Sequence, residues 1–160
     1  MPIRPEQKAL YPKEWATIRD ERLKHAQYRC EYCGVPDHAV GYRDQAGTFR
    51  PLMGSGPCDA AGRGRSWPGY GRLPYAEALE FAKAQNDCQI GKQLCDADGN
   101  HWIVIVLTIA HLHDPHPANV DPKNLAALCQ RCHNKLDAPM RIKNARQRRR
   151  AAMASGDLFA

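Results

Sequence analysis

The sequence predicts one α+β domain. Three observations carry that expectation: apolar residues at helical spacing over 13–27 with strong helix formers over 75–85, β-branched and turn-flanked runs over 40–52 and 101–109, and two Cys-x2-Cys pairs far apart in the chain. A chain of 160 residues buries one modest core, which a metal staple between those pairs would reinforce.

In order, Lys13 to Gln27 carries Trp15, Ile18, Arg22, Leu23 and Ala26 three and four apart, the pattern of an amphipathic helix, with Pro12 suited to its start. Cys30-Glu31-Tyr32-Cys33-Gly34 follows, and the glycine permits the tight turn of a metal knuckle. Val40 to Leu52 reads as a hairpin with Gly47 near its turn and Tyr42, Phe49 and Leu52 as packing residues. Residues at about 54–73, dense in Gly and Pro, read as an irregular, solvated insertion; the alternative is that Arg63, Arg65, Arg72, Trp67 and Tyr70 touch and stack on nucleic acid. Pro74 opens a helix over Tyr75 to Gln85. Gln89 to Cys95, the Asp98-Gly99 turn and His101 to Ile109 predict a hairpin whose second strand is apolar on both faces and therefore central. A helix from Leu128 carries Cys132 and His133, Pro139 ends or restarts it, and a basic helical tail covers about 139–155.

No apolar run reaches membrane-spanning length, and MPIRPEQKAL has no apolar signal core, so the expectation is a soluble, cytoplasmic protein. Formal net charge is +6 with pI near 9.0. The distribution says more: Arg141, Lys143, Arg146, Arg148, Arg149 and Arg150 have no acid among them, which favours DNA over a merely solvated helix face.

Seven cysteines is an odd count, and in a reducing compartment Cys-x2-Cys pairs point to metal more than to disulfides. Cys30, Cys33, Cys129 and Cys132 supply the four thiolates of a tetrahedral structural Zn²⁺, with no open coordination position. Cys58, Cys88 and Cys95 read as ordinary thiols, and His25, His38 and His101 as surface or packing residues.

Cys30-Glu31-Tyr32-Cys33, Ala110-His111-Leu112, Asn124-Leu125 and Leu128-Cys129-Gln130-Arg131-Cys132-His133-Asn134 resemble the HNH endonucleases with a four-Cys zinc site, of phage and bacterial type. The resemblance is dense over Trp102 to Asp137 and recurs at Cys30 to Gly34. It implies a single HNH domain over 1–160 with a ββα-metal (His-Me finger) core, hydrolysing DNA phosphodiester bonds with a divalent cation such as Mg²⁺. By the same matching, His111 is the general base, Asn124 orients it or its loop, and His133 holds the cation. The family usually has Asp or His where this chain has Ala110. His113 or Asp114 is the expected replacement ligand, while His116, between two prolines, belongs to the loop. Two other readings remain: a zinc-stapled DNA-binding protein of the same fold without cleavage activity, and a structural or protein-interaction zinc module.

Overall fold

The structure is a computed structural model that describes residues 9–51, 55–58, 64–66, 73–87, 89 and 101–156. Its architecture is mixed α+β, with three helices and small sheets among the described residues. Helix α1 (Trp15–His25) is followed by β1 (Val40–Arg43), β2 (Phe49–Pro51), β3 (Ser55–Cys58) and β4 (Gly64–Ser66). Then come α2 (Tyr75–Asp87), β5 (Ile103–Val104), β6 (Leu107–His111), β7 (Leu125–Cys129) and α3 (Gln130–Gly156). The sheets run β2-β1-β5, β3-β4 and β6-β7, every pairing antiparallel. Among the described residues no helix is long and apolar enough to cross a membrane.

Helix α1 lays Leu23, fully buried, and Trp15, Ile18 and Ala26, half-buried, against the core. It ends on two successive left-handed residues, Gln27 (φ 52°) and Tyr28 (φ 53°), which turn the chain into the knuckle. Such residues cost roughly 1 kcal/mol each without a glycine, and the Tyr28 N–H to Leu23 carbonyl bond at 2.8 Å helps offset it. The β1-β2 hairpin forms as expected, with Gly47 at φ +75°, where a Cβ would also collide with the Arg131 guanidinium.

Three expectations are corrected. The single apolar strand over 101–109 is two strands in different sheets, since β5 pairs with β1 and β6 with β7. Ile105 exchanges backbone hydrogen bonds with Ala39 and His38, both at 2.8 Å, and the Leu107 N–H donates to the buried Asp37 carboxylate at 2.8 Å. These bonds hand the chain from one sheet to the other, and a continuous apolar run does not mark where its partner changes. The insertion is not wholly irregular, because β3 and β4 pair within it; Arg63, Trp67, Tyr70 and Arg72 lie outside the described residues. Cys88, Cys95 and the Asp98-Gly99 turn also lie outside them. Finally, α3 runs through Pro139 instead of ending there. The proline removes one N–H and crowds the preceding turn, and there the Arg141 guanidinium donates to the Asn134 carbonyl at 2.8 Å.

The main core joins Leu23, Val35, Ile105, Leu107, Ile109 and the whole of β7, with Leu136 of α3 packed on it. Burying each of Ile105, Leu107, Leu125 and Leu128 contributes about 1.5–3 kcal/mol. A second cluster joins Val40, Ala78, Ala82 and Trp102, and the Asn86 amide clamps both backbone groups of Trp102, at 2.8 and 3.0 Å. Thus β6, β7 and α3 follow one another along the chain, pack together, and face α1 and the knuckle.

Candidate metal centre and active site

The knuckle is built by local bonds. Gly34, at φ +71°, lets its N–H return to the Cys30 carbonyl at 2.7 Å, and the Cys30 N–H reaches the Val35 carbonyl at 2.9 Å. Glu31 ties this turn to β7: its N–H donates to the Ala127 carbonyl at 2.9 Å and its carboxylate accepts the Ala127 N–H at 2.5 Å. Arg22 of α1 holds the same carboxylate at 2.5 Å. The second pair comes from the last residue of β7, Cys129, and the first turn of α3, Cys132.

These elements bring the four sulfurs of Cys30, Cys33, Cys129 and Cys132 within 4.8 Å of one another. Sulfurs 2.3 Å from one tetrahedral Zn²⁺ stand about 3.8 Å apart; Cys33 and Cys129 are at 3.7 Å. Burial and the neighbouring sulfurs hold the Cys132 thiol well above its ordinary value, and burial raises Cys33. Cys30 is also raised by burial, but N–H groups of Cys129, Cys33 and Tyr32 aimed at its sulfur bring it below the ordinary value. So crowded a set ionises fully only around a cation, and the donor set fits one. Arg43 of β1 adds a guanidinium 3.6 Å from the Cys129 sulfur, offsetting the surplus negative charge of four thiolates. Sequence reading missed Arg43 and Glu31, because only the packing brings β1 and the knuckle onto β7.

The residues expected to be reactive lie along β6, β7 and the start of α3. His111 ends β6 opposite Leu125. Its ring stacks on Trp15, with centroids 6.0 Å apart and planes 12° apart, and Tyr11 meets its edge at 6.4 Å. Its Nε2 is sealed from solvent and has no hydrogen-bond partner among the described residues. Burial pushes His111 below the ordinary imidazole value; Asp114 raises it, and His133 and His116 lower it further. The imidazole is therefore neutral near pH 7.

Asn124 is buried, 5% exposed, and its amide clamps the loop that follows β6. Its Oδ1 accepts the N–H groups of His113 and Asp114 at 2.9 and 3.0 Å, and its Nδ2 donates to the carbonyls of Asp114 and Asn119 at 2.9 and 3.3 Å. Its backbone carbonyl accepts the Leu112 N–H at 2.8 Å. Asn124 thus fixes the strand end that carries His111.

His133 lies half-buried on α3, its Nδ1 2.7 Å from the Thr108 hydroxyl. With Nδ1–H donating to that oxygen, the hydroxyl proton turns to the Leu128 carbonyl at 3.4 Å, and Nε2 keeps its lone pair. Burial lowers the His133 pKa; Asp137 raises it and Arg141 lowers it. Asp137, one turn along the helix, holds Oδ2 3.7 Å from Nε2. In the Nδ1–H tautomer the Nε2 lone pair and the Asp137 carboxylate face each other, a pair suited to a cation, for which adjacent ligands stand about 3.0–3.4 Å apart. Asp137 was missed in the sequence, although His-x3-Asp on a helix is a legible signal.

The expected replacement ligands lie on the loop after β6. His113 is exposed, and the Asp114 carboxylate accepts the His116 N–H at 2.9 Å and the Asn119 amide at 2.8 Å. Those bonds, Asn119 first, lower its pKa. Ala110 is fully buried against Ala126, a site with no place for a carboxylate. His116 caps Ala118 within the loop, His38 bonds the Leu73 carbonyl at 2.6 Å, and His25 and His101 are exposed. Arg141, Lys143, Arg146, Arg148, Arg149 and Arg150 are all exposed on α3. No family model matches the chain, and no curated protein or solved structure matches it.

Proposed function

We propose that this chain is a metal-dependent endonuclease of the HNH type, with a structural Zn²⁺ on its four cysteines, hydrolysing phosphodiester bonds in DNA. The observation that supports it best is the succession of β6, β7 and α3 carrying a neutral His111, a loop-locking Asn124, and a His133 whose Nε2 faces Asp137. In this reading β6, β7 and α3 are the ββα-metal core.

The chemistry divides among the residues. His111 takes the proton of the attacking water, and its depressed pKa keeps it in the accepting form. For that, Nε2 has to meet water, so the cover formed by Tyr11 and Trp15 parts when substrate docks. Asn124 holds the strand end so that His111 keeps its aim. His133 and Asp137 would hold a divalent cation such as Mg²⁺, which supplies charge neutralisation at the scissile phosphate and the leaving oxygen. In that role Asp137 takes the place of the carboxylate absent at Ala110. The basic half of α3 adds affinity through phosphates.

Nicking of supercoiled plasmid with Mg²⁺, Mn²⁺ or Ni²⁺ tests the proposal. The wild-type protein nicks and Asp137→Asn loses most of that activity while keeping its zinc. No nicking with any of these cations, by a folded zinc-loaded protein, would leave the zinc-stapled DNA-binding protein as the better reading.

A further inference from the structure

Helix α3 has two unlike halves. Its first turns are anchored by Cys132, His133 and Leu136, whereas every residue over 139–153 is exposed. Pro139 stands at the junction and removes one helical hydrogen bond there. Beyond it, residues 139–156 extend about 27 Å at 1.5 Å per residue, with six cations and no acid.

That stretch is weak as a free helix. Over 139–153 every side chain is exposed, and a helix of that length with no buried face is marginal in water. Like charges also repel across single turns, at Lys143/Arg146, Arg146/Arg149 and Arg146/Arg150. Counter-charge removes that repulsion, and helix and polyanion then stabilise each other.

The arrangement of the cations selects the partner. At about 100° per residue, Arg148 and Arg141 lie on one flank, then Arg149, Arg146, Arg150 and Lys143 continue around, spanning about 220° of the circumference. Ile142 and Met153, 54% and 74% exposed, fall between Arg149 and Arg146 instead of forming an apolar face. A membrane-surface helix needs such a face. Cations on both flanks suit a helix lying between two rows of phosphate, as in the major groove of duplex DNA, which admits an α-helix. We propose that residues 139–156 are a duplex-DNA arm, seated in the groove and held helical by the duplex. This deepens, and rests on, the reading of DNA as the partner.

The test uses full-length, zinc-loaded His111→Ala protein and a mixed-sequence duplex of about 30 bp without divalent cation. On binding, ellipticity at 222 nm becomes more negative, and affinity falls about a thousand-fold between 50 and 200 mM salt, as six phosphate contacts require. Ala145→Pro, which breaks the arm without changing its charge or the zinc content, weakens duplex binding ten-fold or more and abolishes the gain in ellipticity. Wild-type affinity in Ala145→Pro, or binding with no change in ellipticity, overturns the proposal in favour of an unstructured cationic tail. Binding to phosphatidylserine vesicles but not to the duplex overturns it in favour of a membrane surface. Plasmid nicking by protein with native His111 is scored separately. Helix-gaining duplex binding without nicking removes the nuclease reading and leaves the arm standing; nicking with Ala145→Pro bound as tightly as wild type does the reverse.

Discussion

Asn124→Ala perturbs the loop that fixes His111. The amide makes four hydrogen bonds from a buried position, two accepted from His113 and Asp114 and two donated to Asp114 and Asn119. At about 0.5–1.5 kcal/mol net each, and with the exposed loop able to regain some water, the loss comes to about 2–4 kcal/mol of stability. Urea unfolding at saturating zinc measures it as a lower midpoint at unchanged slope. Asn124→Asp separates the two halves of the clamp, since it keeps the acceptor for His113 and Asp114 but sets oxygen against the carbonyls of Asp114 and Asn119. It is expected to destabilise at least as much as alanine above the carboxylate pKa. A loss under about 0.5 kcal/mol for the alanine variant would refute the clamp and leave Asn124 no structural reason for its burial.

Two further outcomes follow from contacts at the two sites. Arg43→Ala removes the guanidinium beside Cys129 and lowers zinc affinity about 10–100-fold in competition with a chromophoric chelator, whereas exposed Arg19→Ala leaves it unchanged. Trp15→Leu opens His111 to water and raises its pKa towards the ordinary value, read by NMR titration of the ring. The sign follows from burial. A depressed folded pKa means the folded state binds fewer protons than the unfolded one below about pH 6.5, so the stability due to His111 is full above that pH and is lost as pH falls towards the folded pKa. Trp15→Leu shallows that loss, and an unmoved His111 pKa would show that the indole does not set it.

What was legible in the sequence came from local chemistry. The knuckle was readable because Cys-x2-Cys-Gly needs only one turn to aim two sulfurs, and α1 because its apolar spacing is its burial pattern. The split of the 101–109 run was not readable, since Ile105 and Leu107 are redirected by Ala39, His38 and Asp37, residues more than sixty positions earlier. Pro139 misled for a different reason. A proline loosens a turn, yet the helix N-terminal to it is already held by Cys132, His133 and Leu136, so the chain continues through. The approach of Asp137 to His133 was legible only as an i, i+4 spacing, whereas His113 and Asp114 stand just after His111 in the sequence. The Asn124 clamp and the Asn119 amide occupy their loop from within.

The most direct measurement of the central claim is the rate of plasmid nicking by His111→Ala against wild type at saturating Mn²⁺, with Mn²⁺ binding measured on both. Loss of a general base predicts a fall of about 10²–10⁴-fold, with cation affinity and zinc content unchanged. Nicking by His111→Ala at the wild-type rate would contradict the assignment of this residue as the base, and with it the mechanism built on β6, β7 and α3.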